Sequence, residues 1–297
     1  NANTSHYRAF PYDSQILFAD DPDLDPSISK DEIRRLAGSS MPPYFATLVA
    51  DGDRMGKHLS TLQSLEAHRD FSRRLARFAG QARAIVIDER GVPVYSGGDD
   101  VLAFLPVDTA IRCADRLRGS FTEIVGSGLT LSAGISIGHY HDPLHLLLEW
   151  GRQAERAAKR SRNALAVVWH TRSGGEEARI VVMSWEADPA ARWSDWVEWF
   201  ARDLVPDGLA YELRSLAREL AGLNRDAAES LLPIEARRII GRKQAERGRR
   251  KLDSVTIEAI IHECSSVEKL TQTVDLMLVA RRLAAAQRAT SESAVRQ

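Results

Sequence analysis

The apolar run YFATLVAD at residues 44–51 constrains the fold more than any other segment of the 297-residue chain. It is continuous rather than alternating, which is typical of a strand that is buried on both faces. Such a strand lies inside a sheet that has covering elements on both sides. Because the run ends at Asp51, the sequence also predicts a carboxylate at the edge of that sheet.

The segments after this run predict alternating helices and strands. A helix expected over 61–89 carries an apolar stripe at helical spacing, formed by Leu62, Leu65, Phe71, Leu75, Phe78 and Ala82. Two short β-rich runs, 92–96 and 101–106, flank Gly97-Gly98-Asp99-Asp100 and predict a hairpin. The remaining elements are predicted in the order helix 108–125, strand 129–140, helix 143–161, strand 165–170 and strand 178–185.

The pattern changes at about residue 186, after which apolar residues recur at helical spacing. We therefore predict an α+β domain over 44–185 and an all-α helical domain over 186–297. Residues 1–43 are irregular and broken by prolines, apart from a short capped helix expected over 27–38. They are interpreted as an N-terminal arm or linker.

Composition narrows the classes of function. Lys and Arg number 40 and Asp and Glu 41, a net charge of −1, which excludes a strongly basic nucleic-acid-binding chain but leaves room for local basic patches. Cys113 and Cys264 lie far apart without CxxC partners, which argues against a zinc ribbon or a disulfide scaffold and indicates a reducing compartment. No apolar run approaches the length of a membrane span, so we expect a cytoplasmic protein with no membrane partner.

Two acidic turns are the strongest candidates for chemistry. Asp51-Gly52-Asp53 ends the first strand, where a hard cation can neutralise its carboxylates. In Gly97-Gly98-Asp99-Asp100 the glycines permit a tight turn and the close approach of a ligand, while the adjacent acids repel each other unless a divalent ion or a proton intervenes. Either turn alone is common in solvated loops, but the two together on one strand–helix–hairpin frame indicate a metal site.

Other features favour structural interpretations. Residues 52–57 look like a P-loop but are one residue short and lack the Ser or Thr that should follow. The pair His141-Asp142 precedes a proline and is interpreted as a turn, and the Trp residues of 185–196 as helix core. Two interpretations of the basic run 237–251 stay open, a solvated helix face or a contact with RNA backbone or a neighbouring subunit.

The order strand–Asp, helix, strand–GGDD–strand resembles the ferredoxin-like palm of the polymerase and nucleotide-cyclase superfamily. Three segments are similar to the second palm of the large subunit of type III CRISPR effector complexes, above all the Cmr-type (III-B) version. They are VADGDRMGK (49–57), VYSGGDDVLAFLP (94–106) and residues 131–167. The segment after 186 resembles that subunit's C-terminal helical domain only in kind. The resemblance implies an enzyme that makes cyclic oligoadenylates from ATP when its complex binds target RNA.

The same resemblance implies roles for individual residues. Asp51, Asp99 and Asp100 match the catalytic carboxylates that hold two Mg²⁺ or Mn²⁺ ions. A nucleotide site is implied for Gly52, Asp53, Gly97, Gly98, Ser132, Gly134 and Lys159, with the backbone at Gly52 and Asp53 beside the triphosphate and Lys159 reaching a phosphate. Implied partners are the other effector subunits, with crRNA and target RNA held through the complex.

Several alternatives stay open at this point. Diguanylate cyclases share the palm but carry GGDEF where this chain has Asp100 and Val101, so GTP use is disfavoured without being excluded. A non-catalytic palm that binds nucleotide or braces its neighbours is a second alternative. No HD nuclease domain, first palm or Cys₄ zinc site is recognised in the sequence, so we expect either a C-terminal fragment or a shortened relative. A second palm is then expected in the same polypeptide or in a homodimer.

Overall fold

A computed structural model describes residues 44–126, 128–171, 180–246 and 252–295. Tyr44–Gln287 form one compact unit. Its sheet has six strands in the spatial order β2-β3-β1-β4-β5-β6. They are β1 (Tyr44–Gly52), β2 (Val92–Gly97), β3 (Asp100–Pro106), β4 (Leu131–His139), β5 (Ala164–Trp169) and β6 (Ile180–Ser184).

The sheet is mixed. β1 is antiparallel to both β3 and β4, β2 is antiparallel to β3, β4 is parallel to β5, and β5 is antiparallel to β6. The first four strands have the order and directions of a ferredoxin-like βαββαβ unit. The predictions of a palm-type α+β fold, of a β1 buried between neighbours and of the hairpin are confirmed.

Four helices accompany the sheet. They are α1 (Met55–Thr61), α2 (Leu65–Asp88), α3 (Ala110–Val125) and α4 (Leu144–Ser161). α2 and α3 pack together on one face, where the rings of Phe78 and Phe121 meet edge to face with centroids 5.0 Å apart. The buried residues of α2 are Phe71, Phe78, Ala82, Ile85 and Val86.

The single helix predicted over 61–89 is wrong at its N-terminal end. The structure has two helices there, because the Ser64 hydroxyl accepts a hydrogen bond from the Ala67 amide at 3.1 Å and caps a new helix. Leu65, assigned to the apolar stripe, is 69% exposed. The expected helix over 27–38 and the arm over 1–43 lie outside the described residues.

α4 covers the opposite face of the sheet, over β4 and β5. β4 presents only small residues to it, in the alternating series Ser132, Gly134, Ser136 and Gly138. A side chain at Gly134 would collide with the backbone of Glu155, so the glycine lets helix and strand backbones approach closely. This close packing brings the C-terminal turn of α4 down to the end of the sheet where β1 terminates.

The described residues after β6 lie mainly in helices. A 3₁₀ turn (Trp185–Ala187) leads into α5 (Pro189–Ala201), α6 (Leu209–Leu220), α7 (Arg225–Glu246), α8 (Ser254–Glu263) and α9 (Val267–Val295). Trp185 is buried and its indole N–H donates to the Leu131 carbonyl at 2.9 Å, while Trp193 and Trp196 are buried in the core, as predicted for core tryptophans. The domain boundary at 186 stays a prediction.

Within the described ranges, no helix is long and apolar enough to cross a membrane. The described part of the basic run makes ion pairs inside the chain. Arg237 pairs with Glu258 at 2.6 Å, and Arg242 pairs with Glu212. Residues 247–251 lie outside the described ranges, so a contact of this run with RNA or another subunit stays a prediction.

Candidate metal and nucleotide site

Three carboxylates meet where β1 ends and β3 begins. The antiparallel register pairs Ala50 with Val101, which brings Asp51 beside Asp100. Asp99 lies in the two-residue turn between β2 and β3, whose first position, Gly98, has φ +66°, the sign that a type II′ hairpin turn requires. Ligand oxygens of the three acids all lie within 4.8 Å of one another. We call Asp51, Asp99 and Asp100 the acidic site.

The glycines predicted for the nucleotide site border these acids. A Cβ on Gly52 would lie 2.9 Å from Asp99 Oδ2, so the strand end and the turn are in near contact. A Cβ on Gly97 would lie 2.5 Å from the phenol oxygen of Tyr95, whose side chain therefore lies over the hairpin tip. Tyr95 is 55% exposed. The sequence analysis missed it because an aromatic residue in a β-rich run is expected on packing grounds alone.

Burial and mutual contact shift the pKa values of the three acids in different directions. Burial acts to raise the pKa of Asp51, but hydrogen bonds with Asp100 and Lys159 outweigh it and lower that pKa. Burial and the negative charge of Asp51 raise the pKa of Asp99. Burial, the hydrogen bond to Asp51 and the charges of Asp51 and Asp99 raise the pKa of Asp100 to about 7. A cation bound at the acidic site would therefore act against the raised pKa values of Asp99 and Asp100.

Lys159 supplies a positive charge to this end of the sheet. Its ammonium lies 2.5 Å from Asp51 Oδ2 and donates to the Gly52 carbonyl at 2.6 Å. Its side chain is 23% exposed. The sequence analysis selected this lysine, and the structure places it against the acidic site; its contact with a phosphate stays a prediction.

Asp53 is buried beneath the acidic site rather than part of it. The residue is 3% exposed, and its carboxylate accepts hydrogen bonds from the Ser132 hydroxyl at 2.8 Å, the Thr130 hydroxyl at 2.6 Å and the Asn163 amide at 2.9 Å. Ser132, which the register pairs with Asp51, is itself fully buried. The hydroxyl that was expected to line a nucleotide is thus engaged with Asp53.

Gly134 lies one step further along β4, under the backbone of α4. Its packing role explains the glycine without a ligand, and a part in nucleotide binding stays a prediction. Glu155 was missed by the sequence analysis, although its spacing of four residues from Lys159 puts both on one face of α4. Burial is the main cause of the raised pKa of Glu155. The charge of Lys159 acts to lower this pKa, and the charge of Asp51 acts to raise it.

The pair His141-Asp142 proves to be part of a turn, as predicted. The Asp142 carboxylate accepts a hydrogen bond from the His139 amide at 2.8 Å. Within the described ranges, the acidic site is the one group of three or more His, Cys, Asp or Glu side chains close enough to hold a metal ion.

Residues 44–166 match the family model of the second palm domain of Cas10/Cmr2. This segment contains the acidic site, Asp53 and Lys159. Residues 44–166 are a Cas10/Cmr2 second palm domain. The palm resemblance inferred from the sequence is thereby confirmed, and the matched part of the chain is homologous to the large subunit of type III CRISPR complexes.

Individual relatives agree with the palm assignment. Cmr2 of the CRISPR system of Pyrococcus furiosus is 33% identical over an alignment of 178 residues, and the match covers 49% of this chain and 20% of Cmr2. The chain thus spans about a fifth of the length of that curated relative. Among solved structures, Csm1 of T. onnurineus aligns with a TM-score of 0.52 at 19% identity, covering 79% of this chain and 38% of Csm1. A Csm1–Csm4 cassette in complex with pppApApA aligns with a TM-score of 0.50 at 18% identity, covering 82% of this chain and 37% of that chain.

The donor set of the palm fits a hard divalent cation. All three residues offer carboxylate oxygens, the ligands that Mg²⁺ and Mn²⁺ prefer, and their oxygens lie close enough together to share an ion. The charges of Asp51 and Asp99 add to burial in raising the pKa of Asp100, and a bound cation would offset those charges. Mg²⁺ or Mn²⁺ would be held by Asp51, Asp99 and Asp100.

Proposed function

We propose that this palm carries out metal-dependent nucleotidyl transfer, converting ATP to cyclic oligoadenylates within a type III CRISPR effector complex. The observation that carries the proposal is the acidic site: three carboxylates within 4.8 Å in a second palm domain of the Cas10/Cmr2 family. A palm that serves only as a scaffold has no need for such a cluster, whose mutual repulsion is unfavourable.

In the proposed reaction a ribose hydroxyl of one ATP attacks the α-phosphate of another in line, and pyrophosphate leaves. Mg²⁺ or Mn²⁺, when bound, would lower the pKa of the attacking hydroxyl and neutralise charge on the triphosphate. Asp51 and the hairpin acids Asp99 and Asp100 would hold the cations. The ammonium of Lys159, already 2.6 Å from the Gly52 carbonyl, would offer positive charge to a phosphate beside that backbone.

Adenine is the proposed base. Support comes from the structural neighbour whose Csm1–Csm4 cassette holds pppApApA, a linear chain of adenylates. We extend that ligand class, and a partner subunit of the Csm4 kind, to this chain as part of the proposal. Other effector subunits, crRNA and target RNA would be reached through the same complex.

A second palm is needed to complete the reaction. Joining two ATP molecules requires an acceptor site and a donor site, and the chain has one GGDD hairpin. Positioning both nucleotides can supply about 7–11 kcal/mol of the barrier reduction, so one palm alone would lose most of the rate. We expect the isolated chain to be weakly active or silent, and its specific activity to rise with the fraction of dimer, measured by light scattering, or on addition of the remaining complex.

The direct experiment incubates the protein with Mn²⁺ and either ATP or GTP, with and without target-bound effector complex, and identifies the products by mass. Cyclic oligoadenylates from ATP support the proposal. Preferential use of GTP would favour a diguanylate-cyclase-like enzyme, and no product from either nucleotide in the presence of the complex would favour the scaffold. A strictly monomeric protein with a concentration-independent specific rate would refute the need for a second palm.

A further inference from the structure

Lys159 lies between two carboxylates of different kinds. Asp51, 2.5 Å away, is a residue of the acidic site and 34% exposed at its side chain. Asp53, 3.5 Å away through Oδ1, has a side chain that is 2% exposed. Asp51 is the partner that a divalent cation would bind, whereas Asp53 lies beneath the acidic site.

A cation bound through Asp51 Oδ2 would compete with Lys159 for that oxygen. Mg²⁺ binds carboxylate oxygens at about 2.0–2.1 Å, whereas the ammonium already occupies Asp51 Oδ2. Two positive charges on one oxygen also repel each other strongly in a partly buried site. A cation on Oδ2 would therefore displace the lysine from Asp51, and the loss of an anionic partner is costly for a partly buried ammonium.

Asp53 is the carboxylate that Lys159 can turn to. Its Oδ2 is held by the Thr130 hydroxyl and the Asn163 amide, which leaves Oδ1 directed at Ser132 and Lys159. A move of less than 1 Å would close the 3.5 Å separation to an ordinary charge-assisted hydrogen bond.

Asp53 also fixes the backbone that carries the lysine. Two consecutive non-glycine residues with positive φ follow the end of α4, Arg162 at 58° and Asn163 at 44°. Such conformations are unfavourable for residues with a side chain and persist when surrounding contacts hold them. The Asn163 amide bond to Asp53, at 2.9 Å, is such a contact, and Lys159 lies in the last turn of this helix.

We propose that Asp53 is a positioning residue of the palm. When a divalent cation binds Asp51, Lys159 exchanges its ion pair with Asp51 for one with Asp53, and this exchange strengthens cation binding. The inference rests on the proposed function in one respect, that the acidic site binds the cation. The side chain of Asp53 itself stays beneath the acidic site. Lys159, once transferred, remains beside the Gly52 carbonyl, where an anionic group can meet it.

The test is a double-variant cycle on Mn²⁺ affinity, measured on the full chain without nucleotide by the loss of the free-Mn²⁺ electron paramagnetic resonance signal. The variants are Asp53→Asn, Lys159→Met and the pair together. Lys159→Met should tighten Mn²⁺ binding, because no ammonium competes for Asp51. Asp53→Asn should weaken it, because the lysine loses its second partner, and this weakening should be smaller by about 3- to 30-fold in the Lys159→Met background.

Thr109→Val serves as the matched control for lost stability. Thr109 is a buried hydroxyl that bonds the Glu89 carbonyl at 2.8 Å, beyond the opposite end of β3, so this variant should lose stability and keep its Mn²⁺ affinity. An Asp53→Asn effect of equal or larger size without Lys159 would overturn the positioning role while leaving the metal site intact. Absence of Mn²⁺ binding in the unmodified chain would overturn both the positioning role and the proposed function.

Discussion

The Glu89 cluster (Glu89, Arg112 and Arg116) and the acidic site both gather charged groups around partly buried carboxylates, but they balance charge differently. Glu89, with a side chain 4% exposed, faces Arg112 at 2.6 Å and Arg116 at 2.8 Å. The hydrogen bond from Arg112 is the main reason that the pKa of Glu89 is lowered. The acidic site has three carboxylates and the one ammonium of Lys159.

The difference indicates which cluster is structural and which is prepared for a ligand. Each oxygen of Glu89 already has a guanidinium partner, so an added cation has nothing to neutralise there. In the acidic site, burial together with the hydrogen bond to Asp51 and the charges of Asp51 and Asp99 raises the pKa of Asp100 to about 7. Removing a carboxylate should therefore destabilise the first cluster, whereas in the second it should abolish function and spare the fold.

The largest expected effect comes from replacing Asp99 and Asp100 by Asn together. Product formation from ATP should fall at least about 100-fold, because the cation would lose two of its carboxylates, and the unfolding midpoint should not fall. Activity is measured by product mass, and stability by denaturant titration. Asp108→Asn, an acid paired with Arg90 at the other end of β3, is the control that should retain full activity. Unchanged ATP turnover in the double variant would end the metal-site interpretation.

Glu89→Gln should show the opposite behaviour. It removes a nearly buried charge from two arginines that are 64% and 40% exposed, so we expect a loss of about 1–3 kcal/mol in the free energy of unfolding. Mn²⁺ affinity should be unchanged. A variant that weakens Mn²⁺ binding without losing stability would erase the distinction between the clusters.

The two clusters should also respond to pH in different ranges. Asp99 and Asp100 have raised pKa values, Asp100 to about 7, so protons compete with the cation below that pH. Mn²⁺ affinity should fall by about tenfold per pH unit below 7 for each proton displaced. The lowered pKa of Glu89 means that its stabilising contribution is present above about pH 4.3 and is lost only as the pH falls further. Calorimetric Mn²⁺ titrations between pH 5.5 and 8 measure the first effect, and a flat profile would contradict it.

The smallest expected effect concerns stability without metal. Because the folded state raises the pKa of Asp100, it binds a proton more tightly than the unfolded state, and this stabilising contribution is lost as the pH rises from about 4 to 7. Asp100→Asn should therefore raise the melting temperature by about 1–3 °C at pH 8, and should not raise it at pH 4. An amide also retains a donor for Asp51. A lower melting temperature at pH 8 would indicate that Asp100 is structural.

Hydrophobic patterning and turn residues were sufficient to predict the strands and the hairpin, because these follow from local periodicity and a short turn. The meeting of Asp51 with Asp99 and Asp100 was predicted from the strand–helix–hairpin order and the palm resemblance, and the pairing of β1 with β3 produces it. The inward direction of Asp53 was not predicted. Its partners Thr130 and Asn163 lie 77 and 110 residues away, and no local pattern marks them. Gly134 was assigned to the nucleotide site through the palm resemblance. Its close packing against the backbone of Glu155 was not predicted, because no local pattern marks that contact.

The central claim, that the acidic site is a divalent-cation site, is tested most directly by thermal unfolding of the full chain at pH 8 against Mn²⁺ concentration. A ligand that binds only the folded state stabilises it by RT ln(1 + [L]/Kd), about 2.7 kcal/mol at 100 times Kd. We predict that the melting temperature of the unmodified chain rises with Mn²⁺ and that the variant with Asn at both 99 and 100 shows no rise. An equal rise in both proteins, or none in either, would contradict the claim.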